Sequence, residues 1–261
     1  MRDIITLDRL EMEAYLRIVS YPKADLEDTR KKLAEMQKLG VKALCFEGPK
    51  KIDNVNVLGK GYVGIVVLAK TDLGKAALKI KRTDSGRTSM QHEAEILLKV
   101  NKVGVGPKLL GYSQNLLLME LIEGKSFSEW IKNLDDLEDA VVQRVLRQIL
   151  EQCWKLDKVG VDHGELGNAS KHIIVRPNNE VCILDFETAS TQRRVSNVTS
   201  ICHYLFMRGK ISEIVRKKIV NLNASSLLQA LRNYKKGPTT SNFKFILEAC
   251  CLEKFPEKID Q

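Results

Sequence analysis

Gly59-Lys60-Gly61-Tyr62-Val63-Gly64-Ile65-Val66 decides how the rest of this chain is read. It is a GxGxxGxV run set between two apolar stretches of β character, 52–58 and 64–69. A dinucleotide-binding turn needs a strand on one side and a helix on the other, so that reading is excluded. Glycines without Cβ let a backbone fold closely over a polyphosphate, so that amide N–H groups meet its oxygens. Leu58, Gly59, Gly61 and Gly64 are the candidate residues for that contact, and Val66 would cover a purine. A tight hairpin with no ligand also uses glycines, so the run needs support from elsewhere in the chain.

Support comes next in sequence. Lys79 is an ammonium inside the apolar run Ala76-Ala77-Leu78-Lys79-Ile80, and burying it without a partner would cost several kcal/mol. A helix is predicted over 88–103, opened by Thr88 with Gln91 three residues on in a capping-box arrangement. On that helix Glu93 is the candidate partner that would hold Lys79 towards the α- and β-phosphates, while Glu95 points to a different face.

Working outward, Leu7, Leu10 and Tyr15, then Leu26, Leu33, Met36 and Leu39, predict two opening helices over 6–18 and 25–39, with Gly40 as a stop. Short apolar or alternating runs at 41–46, 52–58, 64–69 and 76–80 predict a small antiparallel sheet, which strands at 109–113 and 116–121 complete. After Glu123-Gly124 the period becomes helical. Val142, Val145, Leu146, Ile149, Leu150 and Cys153 line one face of a long helix ending at Gly160. A hairpin of 172–175 and 180–186 interrupts the helices, which resume at 197–207, 211–221, 225–235 and 242–253. The division expected is a helical extension and first strand in 1–50, a sheet lobe in 51–121 and a helical lobe in 122–261. Small ligands are expected at the junction of such lobes.

Composition sets the boundaries. The 261 residues are 44% hydrophobic and 29% charged, as in ordinary globular proteins rather than disordered or collagen-like ones. No window approaches the roughly 20 apolar residues that span a bilayer. The first fifteen residues interleave charges with apolar positions, so no signal peptide is expected. A cytoplasmic location without membrane attachment follows as the expectation. Six cysteines without a CxxC pair read as buried thiols rather than zinc ligands or disulfides.

At this point the resemblance is to the protein kinase superfamily. The glycine run, Lys79 within Ala77-Leu78-Lys79, and Glu93 followed by Ile96-Leu97 occur in that family's order and approximate spacing. Met119-Glu120-Leu121-Ile122-Glu123-Gly124 looks like its gatekeeper and hinge, where Met119 would border adenine and backbone groups of Glu120 and Ile122 would bond it. Val161-Asp162-His163-Gly164-Glu165-Leu166 resembles the catalytic loop, and Ile183-Leu184-Asp185-Phe186-Glu187 the metal-binding segment. The form His163-Gly164-Glu165 is similar to the HGD loop of small atypical kinases, among them the RIO kinases and the kinase of the tRNA threonylcarbamoyl-adenosine machinery. The whole pattern looks most like an archaeal group of predicted serine/threonine protein kinases. The resemblance implies an α+β, two-lobed protein-kinase-like fold, with a small antiparallel sheet and one helix in the first lobe and a mainly helical second lobe. It also implies ATP with Mg2+ or Mn2+, and a protein substrate or autophosphorylation.

Three positions depart from that pattern. Glu165 stands where kinases carry an aspartate that orients the substrate hydroxyl, one methylene further out. Misplacement by about 1 Å can cost on the order of 100-fold, so Glu165 would be a slow base or none, with Asp162 a second carboxylate nearby. His172 replaces the family's asparagine. His172 is open to three readings: a metal ligand, where a nitrogen suits manganese better than the oxygen-preferring magnesium, a phosphate contact, or a hydrogen-bonded structural imidazole; Asn168 in the lengthened loop is a candidate oxygen ligand beside Asp185. Glu187 replaces a glycine, and only a short activation segment follows, without an APE motif. The leading reading is an atypical ATP-dependent serine/threonine kinase, autokinase or ATPase. The alternative is a nucleotide-binding pseudokinase scaffold. The net charge of +9 and the basic stretches 79–87, 216–218 and 232–236 raise association with RNA or ribonucleoprotein as a third reading, against the plainer one of a solvated lysine-rich surface.

Overall fold

A computed structural model describes residues 4–219 and 221–253. The chain divides into two compact units, Met1–Asn101 with Pro107–Ile122, and Lys102–Gly106 with Glu123–Gln261. The mixed architecture expected of a kinase-like fold is present: an antiparallel sheet in the first unit, and mostly helix in the second.

The sheet of the first unit uses β1 (Ile4–Thr6), β2 (Val41–Cys45), β5 (Gly59–Lys60), β6 (Gly64–Thr71), β7 (Gly74–Lys81), β8 (Leu109–Tyr112) and β9 (Leu116–Glu120). Their order is β1-β2-β6-β7-β9-β8, with β5 also on β6, and every pairing is antiparallel. Strand alternation sorts the side chains. Ile65, Val67 and Ala69 of β6, Ala76, Leu78 and Ile80 of β7, and Leu116 and Leu118 of β9 enter one core, joined by Leu10, Ile18, Val19 and Met36 from the opening segment. Lys79 has the opposite parity. It is paired with Val66 and Leu117, and so stands on the other face of the sheet.

The opening segment differs from the predicted helix over 6–18. Ile4–Thr6 is a strand in register with Ala43–Cys45, Leu7–Arg9 is a 3-10 turn, and the helix α1 is only Glu13–Val19. Pairing with β2 buries Ile5 and wins over the helical spacing of Leu7, Leu10 and Tyr15. The helix α2 (Leu26–Lys38) opens with the Asp25 carboxylate accepting the Asp28 N–H at 3.0 Å, and Gly40 follows it at φ +75°. The run at 52–58 is not one strand. β3 (Lys50–Ile52) and β4 (Val55–Val57) form a hairpin whose two-residue turn, Asp53-Asn54, puts Asp53 at φ +51°. The helix α3 (Gln91–Asn101) is shorter than predicted. Its opening differs as well: the Gln91 N–H goes to Ser89 Oγ at 3.3 Å, and the Gln91 side chain goes to Glu95.

In the second unit, β10 (Lys125–Ser126), β11 (Ile173–Val175) and β12 (Val181–Ile183) form a small antiparallel sheet. The helix α4 (Phe127–Trp130) opens with a capping box between Ser126 and Glu129. The long helix α5 (Asp139–Lys158) buries the apolar stripe read from the sequence, and Gly160 follows it at φ +67°. Gln152 of α5 fixes β12, donating to the Val181 carbonyl and accepting the Ile183 N–H. Four more helices follow: α6 (Asn197–Cys202), α7 (Lys210–Lys218), α8 (Ala224–Lys236) and α9 (Thr240–Ala249). Where one helix was predicted over 197–207, His203–Met207 is a π-helical turn. The helix predicted over 211–221 ends at Lys218, and Val220 lies outside the described residues.

Among the described residues no helix is long and apolar enough to cross a membrane. All six cysteines lie outside disulfides and five are buried, with Cys251 exposed. Burial pushes the thiols of Cys153, Cys202 and Cys250 up.

Candidate functional site

In the first unit, Gly59 and Lys60 pair with Val66 and Ile65, and the Gly61 N–H closes the turn on the Gly64 carbonyl at 2.9 Å. Tyr62 is exposed at the tip. Leu58, Gly59 and Val66 are partly buried around this turn. Strand parity places Lys79 beside Val66, and α3 delivers Glu93 to it: the ammonium lies 3.0 and 2.8 Å from the two carboxylate oxygens. Lys79 is 3% and Glu93 5% exposed, so this is a desolvated ion pair rather than a surface contact. Glu95 is exposed and accepts from Gln91, as its helical offset predicts.

Met119 and Glu120 end β9, and Ile122 follows it. Glu120 donates its N–H to the Lys108 carbonyl at 2.8 Å, and its carboxylate accepts the Lys108 N–H at 3.2 Å. Its amide is therefore not a donor for a base.

In the second unit, the strand end after β12 and the turn after Gly164 bring three groups together. His172 Nε2 is 2.9 Å from Glu165 Oε2, and His172 Nδ1 is 3.6 Å from Asp185 Oδ2. One ligand atom from each of Glu165, His172 and Asp185 lies within 4.8 Å of the others. A Nε2–H donated to Glu165 leaves Nδ1 as a lone pair, and that buried atom has no hydrogen-bond partner. Two carboxylates and an imidazole lone pair fit a divalent cation of the manganese kind, which accepts mixed oxygen and nitrogen ligands. Asp185 sits at φ +68°, a left-handed conformation uncommon outside glycine, of the sort that persists where its surroundings enforce it. Asn168 is exposed on the 3-10 turn Leu166–Lys171, its Oδ1 accepting from Ser170 Oγ at 3.5 Å. Glu165, read from the sequence as a base, is thus also a member of the acidic cluster.

Behind this cluster the loop is braced. His163 donates Nε2–H to the Leu184 carbonyl at 2.9 Å, and its ring packs on Phe186 and His172. Burial lowers its pKa to about 4, so the ring is neutral, with Nδ1 unprotonated. Both carboxylate oxygens of Asp162 accept hydrogen bonds. One oxygen takes Arg193 Nε at 2.9 Å, and the other takes the Ser196 N–H and hydroxyl at 3.1 Å each. Asp157 and Asn197 were not singled out from the sequence, yet they anchor the loop. Asn197 holds the His163 N–H and the Val161 carbonyl, and Asp157 holds Asn197, the Val198 N–H and Tyr234. Burial pushes the Asp157 carboxyl up against those bonds. The available signal was a carboxylate on the apolar stripe of α5, four residues after Cys153. A polar cavity of about 390 Å³ opens beside Glu165, lined by Asp162, Gly164, Thr188, Arg193 and Ser196 among others.

The basic stretches are in part committed internally. Lys79 is buried in its ion pair, Arg82 is bidentate on Asp84, and Lys218 is bound to the carbonyls of Asp135 and Leu137. These three are not part of a solvated basic face.

An uncharacterized protein of Methanocaldococcus jannaschii is 29% identical to this chain over 101 residues, which is 39% of this chain and 83% of that protein. Residues 95–201 match the Lipopolysaccharide kinase (Kdo/WaaP) family, a match that begins just after Glu93 and covers less than half of the chain. That family belongs to the protein kinase-like superfamily, so the segment that carries Glu165, His172 and Asp185 is similar to part of an atypical-kinase family.

Proposed function

We propose that this protein is an atypical ATP-dependent serine/threonine kinase, acting on a protein hydroxyl or on itself, with slow ATP hydrolysis when no acceptor is present. The observation that carries the reading is the buried Lys79–Glu93 ion pair, at 2.8 Å beside a glycine turn, in a chain whose next segment matches a kinase family. Loop amides and Lys79 hold the phosphates. Asp185, with His172 and Glu165, would hold a divalent ion, which would supply positive charge to neutralise the phosphates. Glu165 also orients the acceptor hydroxyl, which enters the polar cavity at its side. The short segment after Glu187 and the loop form His163-Gly164-Glu165 support a place in the RIO-like branch, close to the archaeal predicted kinases.

Turnover of [γ-³²P]ATP with Mg2+ or Mn2+ tests this. Lys79→Met and Asp185→Asn are expected to lower it by about 100-fold or more, the usual consequence of losing a charge that stabilises the transferring phosphoryl group. Unchanged turnover in both variants overturns the assignment. ATP binding without turnover in the unmodified protein would make it a nucleotide-binding scaffold instead.

A further inference from the structure

Lys81, the last residue of β7, and the two residues after it join the glycine turn to the opening segment. Lys81 pairs with Gly64 in the sheet, and its carbonyl accepts the ammonium of Lys32 at 2.8 Å. Lys32 is fully buried on α2, also donates to the Val19 carbonyl at 2.9 Å, and pairs with Asp28. Thr83 donates its N–H to the Tyr21 carbonyl at 2.9 Å. Between them, Arg82 donates its own N–H to the Val63 carbonyl at 2.8 Å and, through its guanidinium, reaches the Gly61 carbonyl at 2.9 Å. Its remaining edge is bidentate on Asp84, and its face lies 4.9 Å from the centre of the Tyr21 ring. Lys60, inside the glycine run, also lies over that ring, at 4.7 Å.

The geometry points to a brace: Tyr21 and Arg82 are positioning residues that hold the glycine turn in its phosphate-receiving conformation. A trans peptide fixes its N–H opposite its carbonyl. By holding the Gly61 carbonyl, Arg82 aims the Tyr62 N–H the other way, as one of the amides available to an anion. Arg82 cannot swing freely, because Asp84 takes two of its donors and Tyr21 takes its face. The opening segment thereby acts on nucleotide affinity without touching nucleotide.

This inference rests on the kinase reading for its effect on ATP, and its test has an arm that does not. Amide hydrogen exchange in the full chain without nucleotide reads the turn directly, at the N–H groups of Gly61 and Arg82. Tyr21→Ala and Arg82→Ala are expected to speed exchange there by about tenfold, with α5 unchanged, since each removes a contact of the size of a cation–π or charged hydrogen bond. In turnover assays KM for ATP rises by a similar factor while kcat stays within about twofold. Tyr21→Phe keeps the ring and restores both. Exchange that is unchanged, or that rises equally in α5, overturns the brace, as does a Tyr21→Phe protein that behaves like Tyr21→Ala. Wild-type protein that binds no ATP would defeat the kinase reading, and the exchange at Gly61 and Arg82 would still decide the brace.

Discussion

Gly64 and Lys79 occupy space that only a residue without a side chain can share: a Cβ built on Gly64 would lie 2.9 Å from Lys79 Cγ and 2.9 Å from the Ile80 carbonyl oxygen. The third glycine of the turn is therefore set by the lysine crossing over it. Gly59 differs, since its Cβ would meet Val66 at an ordinary 3.5 Å.

Gly64→Ala should accordingly destabilise the protein by about 1–3 kcal/mol, the range for overpacking a closed site. It should also weaken ATP binding by displacing Lys79. Gly59→Ala should do little to stability. Urea unfolding of the two variants checks the first point, and calorimetric titration with ATP checks the second.

Glu93→Gln removes the Glu93 charge from beside the buried Lys79 ammonium, and a loss of about 3–5 kcal/mol is expected from breaking such a pair on one side. Replacing both members, Lys79→Met with Glu93→Gln, should be milder than Glu93→Gln alone, because the two charges are removed together. A double-mutant cycle by denaturant unfolding measures the difference. Equal or additive losses would mean that the pair is not desolvated as described.

His163 is expected to make the protein acid-sensitive. Its folded pKa of about 4 lies below the ordinary 6.5, so between those values the unfolded chain binds a proton that the folded chain does not. Stability from this group is complete above pH 6.5 and falls as pH drops towards 4, by roughly 3 kcal/mol at about 1.4 kcal/mol per unit. Asp157 works in the opposite sense, since its raised carboxyl pKa favours the folded state at low pH. The readout is therefore the difference between wild type and His163→Gln, which keeps a donor for the Leu184 carbonyl. The wild-type curve should be steeper between pH 6.5 and 4, and parallel curves would contradict the prediction.

His172→Asn replaces a nitrogen in the acidic cluster with an oxygen and should move metal preference from Mn2+ towards Mg2+. Electron paramagnetic resonance of free Mn2+ during titration reads the affinity without any turnover. An unchanged Mn2+ affinity would remove His172 from the ligand set.

How much of this was legible beforehand depends on whether the signal was local. The parity of the run 76–80 placed Lys79 opposite the core residues Leu78 and Ile80, and helical spacing separated Glu93 from Glu95, so both halves of the ion pair could be read along the chain. The stop at Gly160 and the apolar face of α5 were equally local. The strand Ile4–Thr6 was missed because its reason to exist is β2, some forty residues away. The hairpin of β3 and β4 was missed because Ile52, Val55 and Val57 look like one continuous strand unless Asp53-Asn54 is weighed as a turn. In the site, the sequence named Glu165, His172 and Asp185 but not their contact, and the service of Asp162 to Arg193 and Ser196 lay beyond any spacing rule.

The most direct measurement of the central claim is calorimetric titration of ATP into the protein with and without Mn2+, repeated with Lys79→Met and Asp185→Asn. The account predicts binding that is tightened by the metal, loss of that tightening in Asp185→Asn, and affinity about tenfold weaker or worse in Lys79→Met. Identical isotherms for all three proteins, or no heat in the wild type with metal present, would contradict it.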